Sequence, residues 1–537
     1  MLILATISIQ SLTNTGLFKN AQKSKDETQN AAENQAKILN EYEEELNKYI
    51  SGNKKTLQAD GSWNNSKKVN SPQLMEGMTG IYWDETGTET EVNVDNQDKW
   101  YDYSAQKWAN AVTKDSNGNI TGYFVWIPRY AYKIENGRYT STTGKISVKF
   151  LQGTTNKDES NETISTTYPE TTGATMSAYV VHPSFTNGTS NHYMNGEWDK
   201  EISGYWVAKY PAGFQANTIT NNNGALSTAI SNSSDTVVYS DKKYTSYNAS
   251  MTTNALSQNL TSSGYASQKL SYPVFKPLTY AYNNISTGDA YTISKEIASA
   301  SSFYGLNSTK TDSHQMKNSE WGAVAYLTQS SCGRDGKEIS LNNYYTTESS
   351  PWRTAITGMC TNGTSGNKTT TLGNAYNTKI GVTGSSTANV TGIYDLNGCV
   401  WERTAAYISN GNSNLSTYGS SYVNTTANTN GYQTLSTKWA TVYPYNSSDN
   451  NTNNYNIYLG KKSTTHGFGD AVLETSTTGS GSTSWNGDFS YCPYTSAPFF
   501  LRGGYYGDTS GAGVFAFGSN VGDPWFHYGF RSVLVAL

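Results

Sequence analysis

The chain has 537 residues, enough for several domains or for one domain with large insertions, and enough to bury a sizeable core. Only 15% of residues are charged, the net charge is -4, and Tyr alone numbers 41. Such a surface is polar in Ser, Thr, Asn and Gly without a basic patch, so nucleic acid is set aside as a partner.

Met1 to Ile9 is apolar but far shorter than the ~20 residues that span a bilayer. It also lacks the basic start and cleavage site of a signal peptide. From Lys19 to Ile50 there is no proline, and Leu39, Tyr42, Leu46 and Tyr49 recur three or four apart. The pattern predicts one helix over residues 1–50, whose apolar front reads as the back half of a longer apolar helix. The bland alternative is an amphipathic helix packed on its own domain. The run Ala5-Thr6-Ile7-Ser8-Ile9, leading to Gly16-Leu17-Phe18 and Ala21, resembles the N-terminal stalk of type IV pilins and pseudopilins, although no prepilin peptidase motif is present. The resemblance implies anchoring at the cell surface through this helix, membrane contact only there, pilus subunits as partners and a gene start upstream of Met1.

Residues 51–74 read as a polar linker, and residues 75–537 as one α+β domain in which Trp321, Trp401 and Phe530 are expected to be buried. Met78–Trp83, Tyr123–Pro128 and Gly204–Tyr210 are aromatic and β-branched runs bounded by breakers, the pattern of buried strands, and Trp100-Tyr101-Asp102-Tyr103 adds an aromatic cluster. Helical spacing predicts helices over 289–301 and 317–327, the second with Asn318 or Ser319 as N-cap. Two Asn/Ser/Thr/Gly/Tyr stretches, 213–268 and 408–490, keep no helical period and are expected to be surface insertions or small β excursions outside the core.

Cys332, Cys360, Cys399 and Cys492 allow two disulfides in three pairings or free buried thiols, and their spacing matches no zinc pattern. The five histidines, His182, His192, His314, His466 and His527, include no close pair, and there is no phosphate-cradling loop or nucleophile elbow.

The densest signal lies at the C-terminus. Leu501-Arg502-Gly503-Gly504 and Gly529-Phe530-Arg531 bracket a span rich in Tyr, Phe, Trp, Asp, Asn and Ser, and Val533-Leu534-Val535 reads as a closing buried strand. Fixed ends with a mixed aromatic and small-polar middle are how a rigid frame would carry a variable contact surface. The residues expected on that surface are Tyr505, Tyr506, Asp508, Phe517, Ser519, Asn520, Asp523, Trp525, Phe526, His527 and Tyr528.

Together with Gly392-Ile393-Tyr394-Asp395-Leu396-Asn397-Gly398, Val400-Trp401-Glu402 and Glu320-Trp321, this tail resembles the formylglycine-generating enzyme (sulfatase-modifying factor) family, whose domain has a C-type-lectin-like fold. The resemblance implies such a domain here with long insertions. It also implies a structural calcium that Asn397, Gly398, Val400 and Glu402 would hold through side-chain and carbonyl oxygens, the alternative being that Trp401 is core and Glu402 pairs with Arg403 or a backbone donor. The family's oxidase chemistry uses a thiolate pair near the C-terminal Arg-Gly-Gly, but no cysteine follows Gly504. Required cofactors are therefore expected to be none, and enzymatic activity is not expected.

The frame also resembles that of lectin-fold proteins diversified by retroelements that rewrite adenines. Asn-type codons changed at adenine give Tyr, Asp, Ser, His, Gly and Phe but never Lys, Glu, Gln, Met or Trp. Residues 503–537 contain no Lys, Glu, Gln or Met, and Trp525 lies outside the accessible set. The expectation is a displayed adhesin or receptor for a protein or glycan on a cell or phage surface, with a structural pilus or pseudopilus subunit as the alternative.

Overall fold

The computed structural model describes residues 23–25, 27–32, 34–35, 37–39, 57–84, 87–169, 173–188, 196–213, 230–239, 242–250, 272–277, 279–282, 285–342, 355–356, 358–359, 371–376, 381–423, 438–461, 467–505, 507–525 and 527–537. They divide into two compact units, Met1–Leu57 with Asn93–Asp95, and Gln58–Val92 with Asn96–Leu537. In the first unit the described residues between 23 and 39 are helical and exposed, with an i,i+4 pair between Lys23 and Glu27 at 3.7 Å. The rest of the expected 1–50 helix lies outside the described residues, and no described helix is long and apolar enough to cross a membrane.

The second unit is α+β, mostly sheet. Its largest sheet has seven strands, in spatial order Thr311–Gln315, Ser532–Ala536, Gly204–Ala208, Ile120–Pro128, Asn110–Lys114, Met78–Trp83 and Glu89–Glu91. Every neighbouring pair is antiparallel. The sequence-predicted strands at 78–83, 123–128, 204–210 and 533–535 all fall in this sheet. The closing strand lies second from one edge, between Thr311–Gln315 and Gly204–Ala208, where Leu534 is opposite Trp206 and Val533 opposite Val207. Val533, Leu534 and Val535 are all buried, so both faces of this strand are covered and it reads as a continuous apolar run.

A second sheet is built around the strand Trp401–Ile408. It pairs in parallel with Thr441–Tyr443 and Tyr528–Phe530 and antiparallel with Phe499–Arg502, which in turn pairs with Phe517–Asn520. Trp321 and Phe530 are fully buried and Trp401 is 6% exposed, as expected.

Two expectations are corrected. Residues 58–74 are not a linker but part of the second unit: Trp63–Asn64 and Val69–Asn70 form a hairpin, and the buried Asn70 donates to the carbonyls of Gly153 and Ser203. The 408–490 stretch is not peripheral. Its helix Asn451–Lys461 buries Tyr455 and Tyr458, and Tyr443, Val472, Leu473 and Cys492 join them in one core cluster. Tyr supplies the apolar face of that helix, so an aliphatic period is absent although the three-residue spacing is there. Of the two alternatives left open for the cysteines, Cys332 and Cys492 take that of buried free thiols, which rules out two disulfides; Cys360 lies outside the described residues. In the 213–268 stretch, Ile230–Tyr239 and Lys242–Ser250 form an antiparallel hairpin, and 214–229 and 251–268 lie outside the described residues.

A core this rich in tyrosine has to place its hydroxyls. Buried Glu474 accepts from Tyr132, Tyr168 and Tyr326 and from the Gly469 amide, and burial, partly opposed by these donors, raises its carboxyl above the usual range.

Helix Asn318–Gln329 lies one to two residues C-terminal to the expected 317–327 and is capped at Lys317 rather than at Asn318 or Ser319, because Glu320 reaches back to accept the Lys317 amide at 2.9 Å. The other oxygen of Glu320 lies 2.9 Å from Nε2 of His314, and Asp312 lies 3.0 Å from its Nδ1. Desolvation pulls the imidazole pKa down, but Glu320 and Asp312 outweigh it, so the net shift is upward.

A folded-state pKa above the ordinary 6.5 means that this imidazolium contributes fully below about pH 6.5 and that its contribution is lost as pH rises through the folded value. Thermal melts from about pH 6 to 9 should therefore show the parent losing stability on the alkaline side, with His314→Gln less stable at low pH and flatter above it. Parallel curves for the two proteins would exclude the linkage.

Candidate ligand-binding surface

Three buried arginines hold the C-terminal span. Arg502 ends the Phe499–Arg502 strand and donates to the carbonyls of Ala516, Asp470 and Ala471 at 3.0, 2.9 and 2.9 Å. Burial lowers its pKa to about 10, opposed by Asp470, so it remains a cation at neutral pH. Arg531 forms a two-point pair with Glu402 at 3.0 and 2.6 Å and also donates to the carbonyls of Ala208 and Tyr394. Arg403 donates to Ile285 and Asn520 at 2.9 and 2.8 Å and to the Asp523 carbonyl. The planar guanidinium presents its donors in a fixed fork, which is why arginine rather than lysine suits such multi-point anchoring.

Gly503 and Gly504 follow Arg502 with φ of 85° and 76°, left-handed backbone that other residues adopt at a cost. A Cβ at Gly504 would come within 2.5 Å of Ala512, so the chain doubles back where no side chain fits. The returning segment is clasped from outside by residues 488–491. Asp488 accepts the Phe515 amide at 2.9 Å, and the Phe489 and Gly511, Phe517 and Phe489, and Tyr491 and Phe517 backbones are hydrogen-bonded at 2.8 to 2.9 Å.

On this frame the expected residues separate. Tyr505, His527 and Tyr528 are half-buried, and Trp525 is 48% exposed. His527 sits among the others: stacked on Tyr505 at 4.5 Å between ring centroids, edge-on to Tyr528 at 4.4 Å and to Trp525 at 6.4 Å. Burial, helped by Arg403, lowers its pKa to about 3, so the ring is neutral at physiological pH. Asp508 is half-buried beside them. It accepts the Tyr505 amide at 3.0 Å and a bond from Trp401, and burial pushes its carboxyl up to about 6. Asp523 is also half-buried, while Tyr506 and Phe526 lie outside the described residues.

Phe517 and Asn520 do not belong to the surface as expected, whereas Ser519 between them is half-buried. Phe517 is fully buried in the cluster with Tyr443 and Phe500, and Ser519, two residues on, shares that face of the strand. Asn520 is 7% exposed and spends its side chain on Arg403 and the Gly522 amide. The physical reason is that between two Gly-rich turns the segment becomes a strand covered on both faces, by the Tyr443 and Phe500 cluster at Phe517 and by Arg403 at Asn520.

Sequence reasoning missed a neighbouring stripe. Trp401 packs against half-buried Phe489, Tyr505 and Tyr528, Phe489 stacks on Tyr491 at 5.9 Å, and Tyr491 meets Tyr494 at 5.8 Å. The alternation of Phe489 and Tyr491 around buried Ser490 was its available signal.

The four residues expected to hold calcium do not fit the ion. Both oxygens of Glu402 are taken by Arg531, Cys399 and Val400 pack in an apolar cluster, and only Asn397 keeps a buried side-chain oxygen without a partner. Among the described residues no three His, Cys, Asp or Glu side chains are gathered as a metal site.

Elsewhere, a cleft of 520 Å³ is lined by Lys67, Lys68, Lys149, Asp158 and Glu159. Its charges are largely matched internally, with Lys68 3.1 Å from Glu159 and Lys149 2.8 Å from Asp158, so it offers a ligand little uncompensated charge. No protein-family model matches this chain, and neither does any curated protein sequence.

The buried and exposed aromatics of the segment should respond differently to truncation. Phe517→Ala is expected to cost about 3–5 kcal/mol in denaturant unfolding, and Trp525→Ala no more than about 0.5 kcal/mol. Equal losses would place Trp525 in the core.

Proposed function

We propose that this chain is a surface-displayed ligand-binding protein of the adhesin or receptor type, whose contact surface is the framed C-terminal segment of a C-type-lectin-like domain related to the formylglycine-generating enzymes. The observation that carries the reading is the ring cluster of exposed Trp525 with half-buried Tyr505, His527 and Tyr528, while the backbone on either side of it is tied down by Arg403, Arg502 and Arg531. Exposed aromatics grouped in this way carry an aggregation hazard that a binding role explains. Tyr and Trp give large contact area at low entropic cost, as in antibody loops. Retroelement diversification fits the same division: templated frame residues, replaceable residues between them.

The partner is a protein or glycan on a cell or phage surface. The described residues between 23 and 39, helical and with Ile38 and Leu39 exposed at 50% and 62%, support a pilin-like stalk, and the pilus-subunit reading then describes how the domain is presented. Formylglycine chemistry is not proposed, because the thiolate pair it uses has no counterpart after Gly504.

A yeast-displayed library randomised at Tyr505, Asp508, Asp523, Trp525 and His527 should keep near-parental display in most clones and yield binders to an unrelated target such as lysozyme. In such a binder, truncating a central aromatic to Ala should cost about 2 kcal/mol of affinity. A matched library at Arg502, Phe517 and Arg531 should lose display. If the first library collapses as the second does, the segment is core and the proposal fails.

A further inference from the structure

Lys209 is fully buried just past the Gly204–Ala208 strand, and its amine ends on neutral groups. Nζ donates to the side-chain oxygen Oδ1 of Asn110 at 2.7 Å and to the Val390 carbonyl, 4.5 Å from the centre of the Trp83 ring and 5.8 Å from that of Tyr394. Asn110 opens the strand Asn110–Lys114 and is 1% exposed. Both hydrogens of its amide are taken, by the carbonyls of Trp108 and Thr391 at 2.9 and 2.8 Å, so its orientation is set and Oδ1 is the atom turned to the lysine. The two residues flank the strand Ile120–Pro128 from opposite edges: Asn110 lies opposite Val125, and the Lys209 amide donates to the Tyr123 carbonyl. Sheet pairing thus brings an amine against an amide 99 residues away in the chain.

An ordinary lysine is charged and has no lone pair with which to attack. Burial pulls this amine's pKa well down, opposed by Glu89, and so makes the neutral nucleophile accessible. With Nζ 2.7 Å from Oδ1 and a carbonyl bond of about 1.2 Å, the nitrogen lies about 3–4 Å from the Asn110 carbonyl carbon, close to a near-attack separation. A turn about the Cε–Nζ bond replaces the hydrogen aimed at Oδ1 with the lone pair. We propose that Lys209 and Asn110 form an intramolecular isopeptide bond, Nζ of Lys209 displacing the side-chain nitrogen of Asn110 as ammonia. The Nζ–Cγ bond forms as the carbonyl electron pair moves to Oδ1, and its return breaks the Cγ–Nδ2 bond. One proton of Nζ passes to Nδ2, so an amine and a primary amide become a secondary amide and ammonia, with no oxidant or co-reactant. Glu89 relays that proton. Its carboxyl accepts from Tyr123 at 2.9 Å, its charge acts on Lys209, and burial raises its pKa, which suits it to hold a proton in passing. The bond clamps the seven-stranded sheet across the strand Ile120–Pro128.

The test is mass spectrometry of the full chain, intact and after denaturation and trypsin digestion. The intact chain should weigh one ammonia less than its sequence. Because trypsin does not cut after an acylated lysine, the digest should contain residues 108–114 joined to residues 201–242. An intact mass equal to the sequence, with residues 108–114 and 201–209 released as separate peptides, would overturn the proposal. A loss of ammonia that maps away from Asn110 and Lys209 would overturn it as well. Lys209→Arg should restore the full mass, but a guanidinium in that space can unfold the protein, so Glu89→Gln serves as the second variant. It should fold as the parent does by circular dichroism and gain the linked peptide at least about 100-fold more slowly after synthesis. Linkage at the parental rate in Glu89→Gln would overturn the relay while leaving the bond.

Discussion

The contact between Arg531 and Glu402 is the constraint on which the rest of the second unit depends. It joins the two sheets: Arg531 sits between Tyr528–Phe530, paired with the Trp401 strand, and Ser532–Ala536, an inner strand of the seven-stranded sheet. Two charges removed from water are costly, and the pair is tolerated because both carboxylate oxygens and two further carbonyls complete the guanidinium's fork. Removing one partner would leave the other charge buried and alone, which typically costs about 3–5 kcal/mol. Such a pair adds little net stability over apolar residues, but it fixes register, and register is what a display segment between two sheets needs.

The same logic runs through the interior. A chain with 41 tyrosines cannot fill its core with aliphatics, so it buries rings and pairs their hydroxyls. Glu474 gathers three of them, Tyr443 donates to Asp470, and Asp470 and Ala471 offer the carbonyls that hold Arg502. The 467–490 stretch is thus the underside of the display segment. Rigidity below and openness above are two faces of one packing arrangement.

The amino-acid sequence made the framework legible where side-chain chemistry and periodicity agree. Met78–Trp83, Ile120–Pro128, Gly204–Ala208 and the closing strand could be read because β-branched and aromatic runs end at breakers. Helix 318–329 could be read from its spacing, although not its cap, since a Glu bonding back to the Lys317 amide leaves no cap residue of the usual type. Residues 408–490 were illegible as core because Tyr and Asn carry a helix that aliphatic periodicity would miss. At the surface, Gly-flanked arginines marked both ends of the segment and identified Tyr505, Trp525, His527 and Tyr528. Composition alone assigned Phe517 and Asn520 to the same face, and only strand pairing shows otherwise. The Glu402 partner and the Phe489–Tyr494 stripe depend on contacts distant in sequence, which no local pattern encodes.

If recognition is carried by a loosely held surface on a tightly held frame, the two parts must differ in local stability. Native-state hydrogen exchange of the intact chain measures this directly. Amides of 499–503 and 529–535 should exchange at least about 100-fold more slowly than those of 505–511 and 522–527, approaching the global unfolding limit. Uniform protection across 499–535, with the aromatic residues exchanging as slowly as the arginine-held strands, would contradict the account.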